Sequence, residues 1–314
     1  DRPVKLMEFG PHLILAMLEG LVQASVLTLT ALGLSLVFGV MRVVNVAHGE
    51  FFMLGAVFAY AITDWLAGNA AVGFLAALII APLLVAALAI FCDWMILRRL
   101  EYDPERTIVA TIGILYVLQQ VTLMTYGPDA HPVTPPFNQR LAIPWLEFTD
   151  NGLEFYFPWG LSTTSYKLFV IAAACVAGLG IWVLMARSKL GLILRATQLD
   201  RETAQAFGIP VERVYAFVFG LGAAIAALGA VLVVPIQQAH YLMGGDPLLL
   251  SFIVVIIGGL GSLRGTVVAA ILIGMSNGVI SVFFTPTLAK ILATLLVAFV
   301  LVYRPAGLFG TKAA

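Results

Sequence analysis

Of the 314 residues, 61% are hydrophobic and 11% are charged, and the mean hydropathy is +1.02. Soluble domains carry about 25% charged residues, so this composition argues against a soluble fold. Seventeen basic and seventeen acidic residues give a formal net charge of zero. With no run of basic residues, that balance argues against a nucleic-acid partner. Cys92 and Cys175 both fall in apolar runs, so they read as small apolar fillers rather than a disulfide framework or metal site.

In chain order, Asp1–Pro11 is polar and the apolar run after it is too long for a signal-peptide core, so no cleavable signal is expected. Hydrophobic segments follow at 12–40, 50–66, 72–97, 106–126, 166–186, 213–237, 248–263, 265–284 and 287–303. Several contain uncharged windows near the roughly 20 residues that a membrane helix needs. They include Gly20–Met41, Ile108–Tyr126, Leu168–Ala186 and Val214–Pro235. The stretch Leu248–Phe284 carries one charge, Arg264, and is too long for one crossing, so it must break near Gly258-Gly259-Leu260-Gly261-Ser262. The fold class is therefore an all-α polytopic membrane protein of about 8–9 transmembrane helices. We treat residues 1–314 as one membrane domain.

Positive charge sets the orientation. The link with Arg98, Arg99 and Arg106, the island 187–213 and the tail with Arg304 and Lys312 should face the cytoplasm. The loop 127–165 holds Arg140 among four acids and should lie outside, with Trp145, Tyr156, Trp159 and Tyr166 forming an interfacial belt. Parity places Arg42 and Arg264 inside and the N-terminus outside, although Arg2 and Lys5 weigh against the last point. An internal symmetry is also visible. The first run ends at Asn45-Val46-Ala47-His48-Gly49-Glu50, and the sixth at Met243-Gly244-Gly245-Asp246-Pro247, each with glycine and an acid opening the next helix. In this topology the two breaks lie at opposite membrane faces, as an inverted repeat requires.

The segment with Asn45, His48, Gly49 and Glu50 brings polar groups to a membrane boundary, where ionisable groups are costly. Two readings stand open: a gate at the cytoplasmic mouth of a pathway, with His48 as partner for Glu50, or a capped corner between helices. Gln119, Gln237 and Asn277 are candidates to line a path or to hydrogen-bond between helices. Asp93, within a turn or two of Arg98 and Arg99, is expected to snorkel or to pair locally, and His12, His131 and His240 read as isolated interfacial residues.

The island Arg187–Arg213 carries five Lys/Arg between two uncharged runs. Thr197-Gln198-Leu199-Asp200 fits a capping box, with Thr197 as N-cap. Gly208 and Pro210 supply the stop, giving a helix of about ten residues. Leu199, Thr203 and Phe207 share one face, while Arg201, Glu202 and Gln205 point elsewhere. The alternative to a docking element is a solvated loop whose apolar stripe rests on the membrane.

Gly191-Leu192-Ile193-Leu194-Arg195-Ala196, running through Glu202-Thr203-Ala204 to Phe207-Gly208-Ile209, resembles the coupling loop of ABC-importer permeases. Asn45-Val46-Ala47-His48-Gly49-Glu50-Phe51-Phe52-Met53-Leu54-Gly55 resembles LivH-type permeases for branched-chain amino acids. Gly258–Ser262 with Gly265, and the ending Arg304–Gly310, are similar to the same family. Two departures are Val46, where members often have Phe, and Arg264, where Pro is common.

The resemblance implies a permease subunit in the bacterial cytoplasmic membrane, forming half of a translocation pathway. It implies as partners a second related permease, two ATPase subunits, an extracytoplasmic solute-binding protein and membrane lipid. ATP and Mg would belong to the ATPase subunits, with no cofactor on this chain, which has no phosphate-binding Gly-x-x-x-x-Gly-Lys-Ser/Thr loop. The coupling contacts would come from Arg195, Leu199, Asp200, Glu202, Thr203, Ala204, Phe207 and Gly208. A self-sufficient secondary transporter or channel for a small neutral solute such as urea is the alternative. An enzyme is not expected.

Overall fold

The computed structural model describes residues 9–66, 68–143, 145–149, 152–156, 162–303, 307 and 309. Arg2, Lys5, Trp159, Arg304 and Lys312, named above, lie outside them. Two long helices form the centre: α1 (Phe9–Met41) and α8 (Val211–Gln237). Both are largely buried because both carry small residues where backbones meet. A Cβ on Gly33 would lie 2.4 Å from the carbonyl oxygen of Gly222, so this approach admits only glycine on both sides.

Apart from two short helices in the island 187–213, the others are α2 (His48–Trp65), α3 (Ala70–Cys92), α4 (Pro104–Tyr126), α5 (Ser165–Arg187), α9 (Gly245–Gly258), α10 (Leu263–Phe283) and α11 (Pro286–Tyr303). A π turn over Asp93–Leu97 and a 3-10 turn over Arg98–Leu100 extend α3. Among the described residues, six helices, α1, α3, α4, α5, α8 and α10, are long and apolar enough to cross a membrane; α9 and the apolar part of α11 are shorter. The chain is an all-α polytopic membrane protein, and every expected hydrophobic segment corresponds to a helix. The break anticipated at Gly258–Ser262 separates α9 from α10, with Gly259 at φ 99° and Gly261 at φ 77°. Exposed Leu83, Val109, Met124, Val176 and Val302 leave the outer helices with apolar surfaces suited to lipid.

Register fixes directions. Thr266 donates to Ser35 at 3.0 Å, while Gly278 abuts Gly20, so α1 and α10 are antiparallel. Phe51 meets Phe219 edge-on at 5.7 Å and Gly55 abuts Ala227, so α2 and α8 are parallel. Arg42, Arg98, Arg264 and residues 188–210 thereby gather at one end, the basic end. The 127–164 loop lies at the other. Its described residues are not featureless: β1 (Arg140–Ala142) pairs with β4 (Ser162–Thr164), and β2 (Trp145–Thr149) with β3 (Gly152–Tyr156). Tyr166 is not part of an exposed belt, because its ring is buried and its hydroxyl donates to the Leu232 carbonyl at 2.8 Å.

The expected symmetry is present, with one correction. The order α1, limb 42–47, α2, α3, α4 matches α8, limb 238–244, α9, α10, α11, with every helix reversed in direction. Each limb opens on a non-glycine residue with positive φ, Arg42 at 55° and Gln238 at 66°. That conformation folds the chain back along the helix it has just left. The two limbs enter from opposite ends, but the breaks do not stay there. They meet at mid-bundle, where a Cβ on Gly244 would lie 2.3 Å from the Gly49 carbonyl oxygen.

Candidate functional site

The first limb does not form a cytoplasmic mouth. His48 Nε2 lies 2.9 Å from the carbonyl oxygen of Thr30, eleven residues before the end of α1 and thus about 16 Å into the bundle. The carbonyl can only accept, so Nε2 carries the proton and Nδ1 is left as an acceptor without a partner among the described residues. Asn45 Oδ1 accepts from the Ala47 N–H at 3.0 Å, and the Val46 N–H donates to Thr111 on α4 at 3.2 Å. Asn45, His48 and Glu50 are all buried. His48 does not pair with Glu50, whose Oε2 has no partner among the described residues. The segment is the buried start of α2, deep in the bundle and pressed on Gly244.

On the opposite side of the Gly49–Gly244 contact lies a cavity of about 420 Å³, between α1, α8, the second limb, α10 and α11. Its lining includes Glu19, Thr30, Phe52, Asp246 and Lys290. Of the sequence candidates, Gln237 and Asn277 line it. Gln119 does not: it is half-buried on α4, which packs mainly on α2. Sequence reasoning passed over Glu19 and Lys290, although a charge inside an apolar helix is itself a signal. Glu19 pairs with Lys167, and Asp246 with Lys290 at 2.6 Å. The second limb is tied to the outer loop by two backbone hydrogen bonds between His131 and Ala239, both 2.8 Å. His131 also stacks on Tyr60 at 4.5 Å, so it is not isolated.

At the basic end the island forms two helices rather than one of about ten residues. They are α6 (Lys189–Leu199) and the six-residue α7 (Arg201–Ala206). Thr197 lies inside α6 and donates to the Ile193 carbonyl at 3.0 Å, so it is not the N-cap. Asp200 is. Its backbone is extended (φ −152°, ψ 111°) and its Oδ1 accepts from the N–H groups of Glu202 and Thr203 at 2.9 and 3.1 Å. The Thr203 hydroxyl donates to Oδ2 at 2.5 Å. These bonds, led by that hydroxyl, hold the Asp200 carboxyl below the usual carboxylate range.

Asp200 interrupts the helix, so Leu199, Thr203 and Phe207 do not share one helical stripe. Leu199 and Phe207 are nevertheless 80% and 85% exposed. Ala204 is buried, Glu202 is exposed, and Gly208 takes the expected left-handed C′ position at φ 83°. Arg195 turns back to the Met185 carbonyl at the end of α5, a capping contact.

Two residues missed in the sequence hook the island to the bundle. Gln198 receives a hydrogen bond from Arg42 on its carbonyl at 3.3 Å, and its side-chain amide donates to the Gly261 carbonyl at 3.4 Å. Arg201 sits 6.0 Å from the ring of Tyr102 and 5.5 Å from that of Tyr215, which meet edge-on at 4.8 Å. Tyr102 in turn donates to Asp93 at 3.3 Å, and Arg98 pairs with Glu212 rather than Asp93. Burial, then the Asp93 charge, pushes the Tyr102 hydroxyl up, keeping it a donor.

Residues 16–301 match the family model described as the branched-chain amino acid transport system / permease component. The chain belongs to this permease family. It is a multi-pass protein of the bacterial cytoplasmic membrane. A high-affinity branched-chain amino acid transport system permease protein, LivH of Salmonella typhimurium, is 25% identical over 311 residues, covering 94% of each chain. BraD of Pseudomonas aeruginosa, a protein of the same description, is 26% identical over 310 residues, covering 95% of this chain and 96% of that one. Among solved structures, PsaBC from Streptococcus pneumoniae in complex with Fab is similar over 90% of each chain, with 12% identity and a TM-score of 0.44. Within this permease the cavity, the glycine contact and the exposed α6–α7 segment are the functional candidates.

Proposed function

We propose that this permease is the membrane subunit of an ATP-driven importer for branched-chain or similar small amino acids. It would pair with a second related permease, receive solute from an extracytoplasmic binding protein and be driven by two cytoplasmic ATPase subunits carrying ATP and Mg. The names of the relatives support the substrate class. The observation that carries the coupling is the exposure of Leu199 and Phe207 on a capped segment at the basic end. Large apolar side chains on a polar, folded island favour a protein partner there.

The island is also placed to transmit motion. A displacement of α6–α7 would pull on Arg42, where the first limb begins, and on Gly261 in the turn between α9 and α10, both through Gln198. The first limb leads into α2, which carries Gly49, and the turn follows α9, which Gly244 caps, so moving α2 and α9 apart would open the floor of the cavity. The shift in population must come from different affinities of the ATPase states for the island.

Affinity purification of the tagged permease from its native membrane tests the coupling. ATP-hydrolysing subunits should co-elute with the wild type and be lost with Leu199→Ser/Phe207→Ser. Their retention on the double variant would overturn the docking assignment.

A further inference from the structure

We propose that the cavity between α1, α8, α10 and α11 is a transient binding site for an amino-acid zwitterion, with Asn277 and Glu19 receiving the α-ammonium and Lys290 the α-carboxylate. The inference rests on the importer reading and adds to it where in the chain the solute pauses.

Asn277 is 5% exposed, lines the cavity, and its Oδ1 has no hydrogen-bond partner among the described residues. A buried amide oxygen without a donor is costly in an apolar surround, and such a group calls for a ligand or a water. Gly278, the next residue, abuts Gly20 and the carbonyl carbon of Glu19, which puts Asn277 and Glu19 at one level of the bundle. Both line the cavity. Lys167 holds Glu19 through Oε1, and Oε2 is outside that pair. Two acceptors at one level suit a cation with several N–H donors, as an α-ammonium is.

The donor for a carboxylate is on the same wall system. Lys290 reaches into the cavity from α11 and is paired with Asp246, with side chains 44% and 65% exposed. A pair this exposed contributes little, so an incoming carboxylate can replace Asp246 without leaving a buried charge. Beyond these groups the lining turns apolar, with Val26, Leu27, Phe52 and Leu250 available to a branched side chain. The volume, about 420 Å³, falls within the range of small-molecule sites. Thr30 and Phe52 on its lining lie beside the Gly49–Gly244 contact, so the solute would wait above the closed floor.

The test uses the complete purified transporter without its binding protein, and follows its unfolding temperature against added ligand. Three probes separate the charges: leucine, isoamylamine, which lacks the carboxylate, and 4-methylpentanoate, which lacks the ammonium. Leucine should stabilise the wild type. Asn277→Leu should need about tenfold more leucine, the loss of one hydrogen bond to a charged group. Lys290→Met should weaken leucine and 4-methylpentanoate but leave isoamylamine unchanged. Lys290 is part-exposed, so that variant is expected to assemble even if Asn277→Leu does not, and its probe pattern then decides. Unchanged leucine dependence in the variants, or equal loss for all three probes, would overturn the site in a transporter that still carries leucine. A wild-type transporter that carries no amino acid under ATP would instead overturn the importer reading beneath it.

Discussion

Gly49 and Gly244 show how a missing methyl group lets two backbones meet at mid-bundle. A Cβ on either would fall within 2.4 Å of the other's backbone. Gly244 has an ordinary helical φ of −76°, so the objection to alanine there is space, not backbone conformation. Gly244→Ala should therefore destabilise the permease by about 1–3 kcal/mol, the usual cost of overpacking. Gly245→Ala, where nothing lies within 4 Å, should be neutral in the same thermal-unfolding assay. Equal effects at the two positions would remove the steric argument.

Asp200 gives a second residue-level expectation. Asp200→Ala should fray α7, seen as faster amide exchange over 201–206, whereas Asp200→Asn should hold it, because Asn is an equally good N-cap. Since the folded carboxyl is depressed, the cap is fully formed above the ordinary carboxylate range. It is lost only as pH falls through the lowered folded value. Protection of the α7 amides, relative to their intrinsic exchange rates, should thus be flat from neutral to mildly acidic pH.

At the scale of elements, the α6–α7 segment has an inside and an outside. Its inward contacts, Gln198 to Gly261 and Arg201 over Tyr102 and Tyr215, fix it to the bundle. Leu199 and Phe207 face away. Arg201→Ala should cost about 0.5–2 kcal/mol through the lost cation–π contacts. Leu199→Ser/Phe207→Ser should leave stability within about 0.5 kcal/mol, as exposed substitutions do. Thermal unfolding of the two proteins side by side distinguishes these outcomes.

The elements also show what a sequence can convey. Apolar runs, Gly258–Ser262 and Gly208 marked nearly every helix and its end, because length and left-handed glycine are local properties. The capping pattern misled, because Thr197 and Asp200 both satisfy it locally, and the choice of Asp200 follows from how α6 packs on α5 through Arg195. The depth of Asn45–Glu50 was also hidden. Polar residues usually mark a membrane boundary, and only the contacts of His48 with Thr30 and of Gly49 with Gly244 place them at mid-bundle. Gln237 and Asn277 were found as intramembrane polar groups, but Gln119 has the same signature and faces elsewhere.

For the molecule as a whole, two limbs entering from opposite ends divide the bundle into an accessible cavity and a closed basic half. The same island that exposes Leu199 and Phe207 touches the start of one limb and the turn after the other's helix. In the proposed importer, docking, limb and cavity would form one connected path, and breaking it at the island should stop transport without unfolding the chain. The most direct measurement is leucine uptake into liposomes holding the complete transporter and its loaded binding protein, with and without ATP, for the wild type and Leu199→Ser/Phe207→Ser. The account predicts ATP-dependent uptake by the wild type and its loss in the double variant. Uptake that proceeds without ATP, or survives in the double variant, would contradict it.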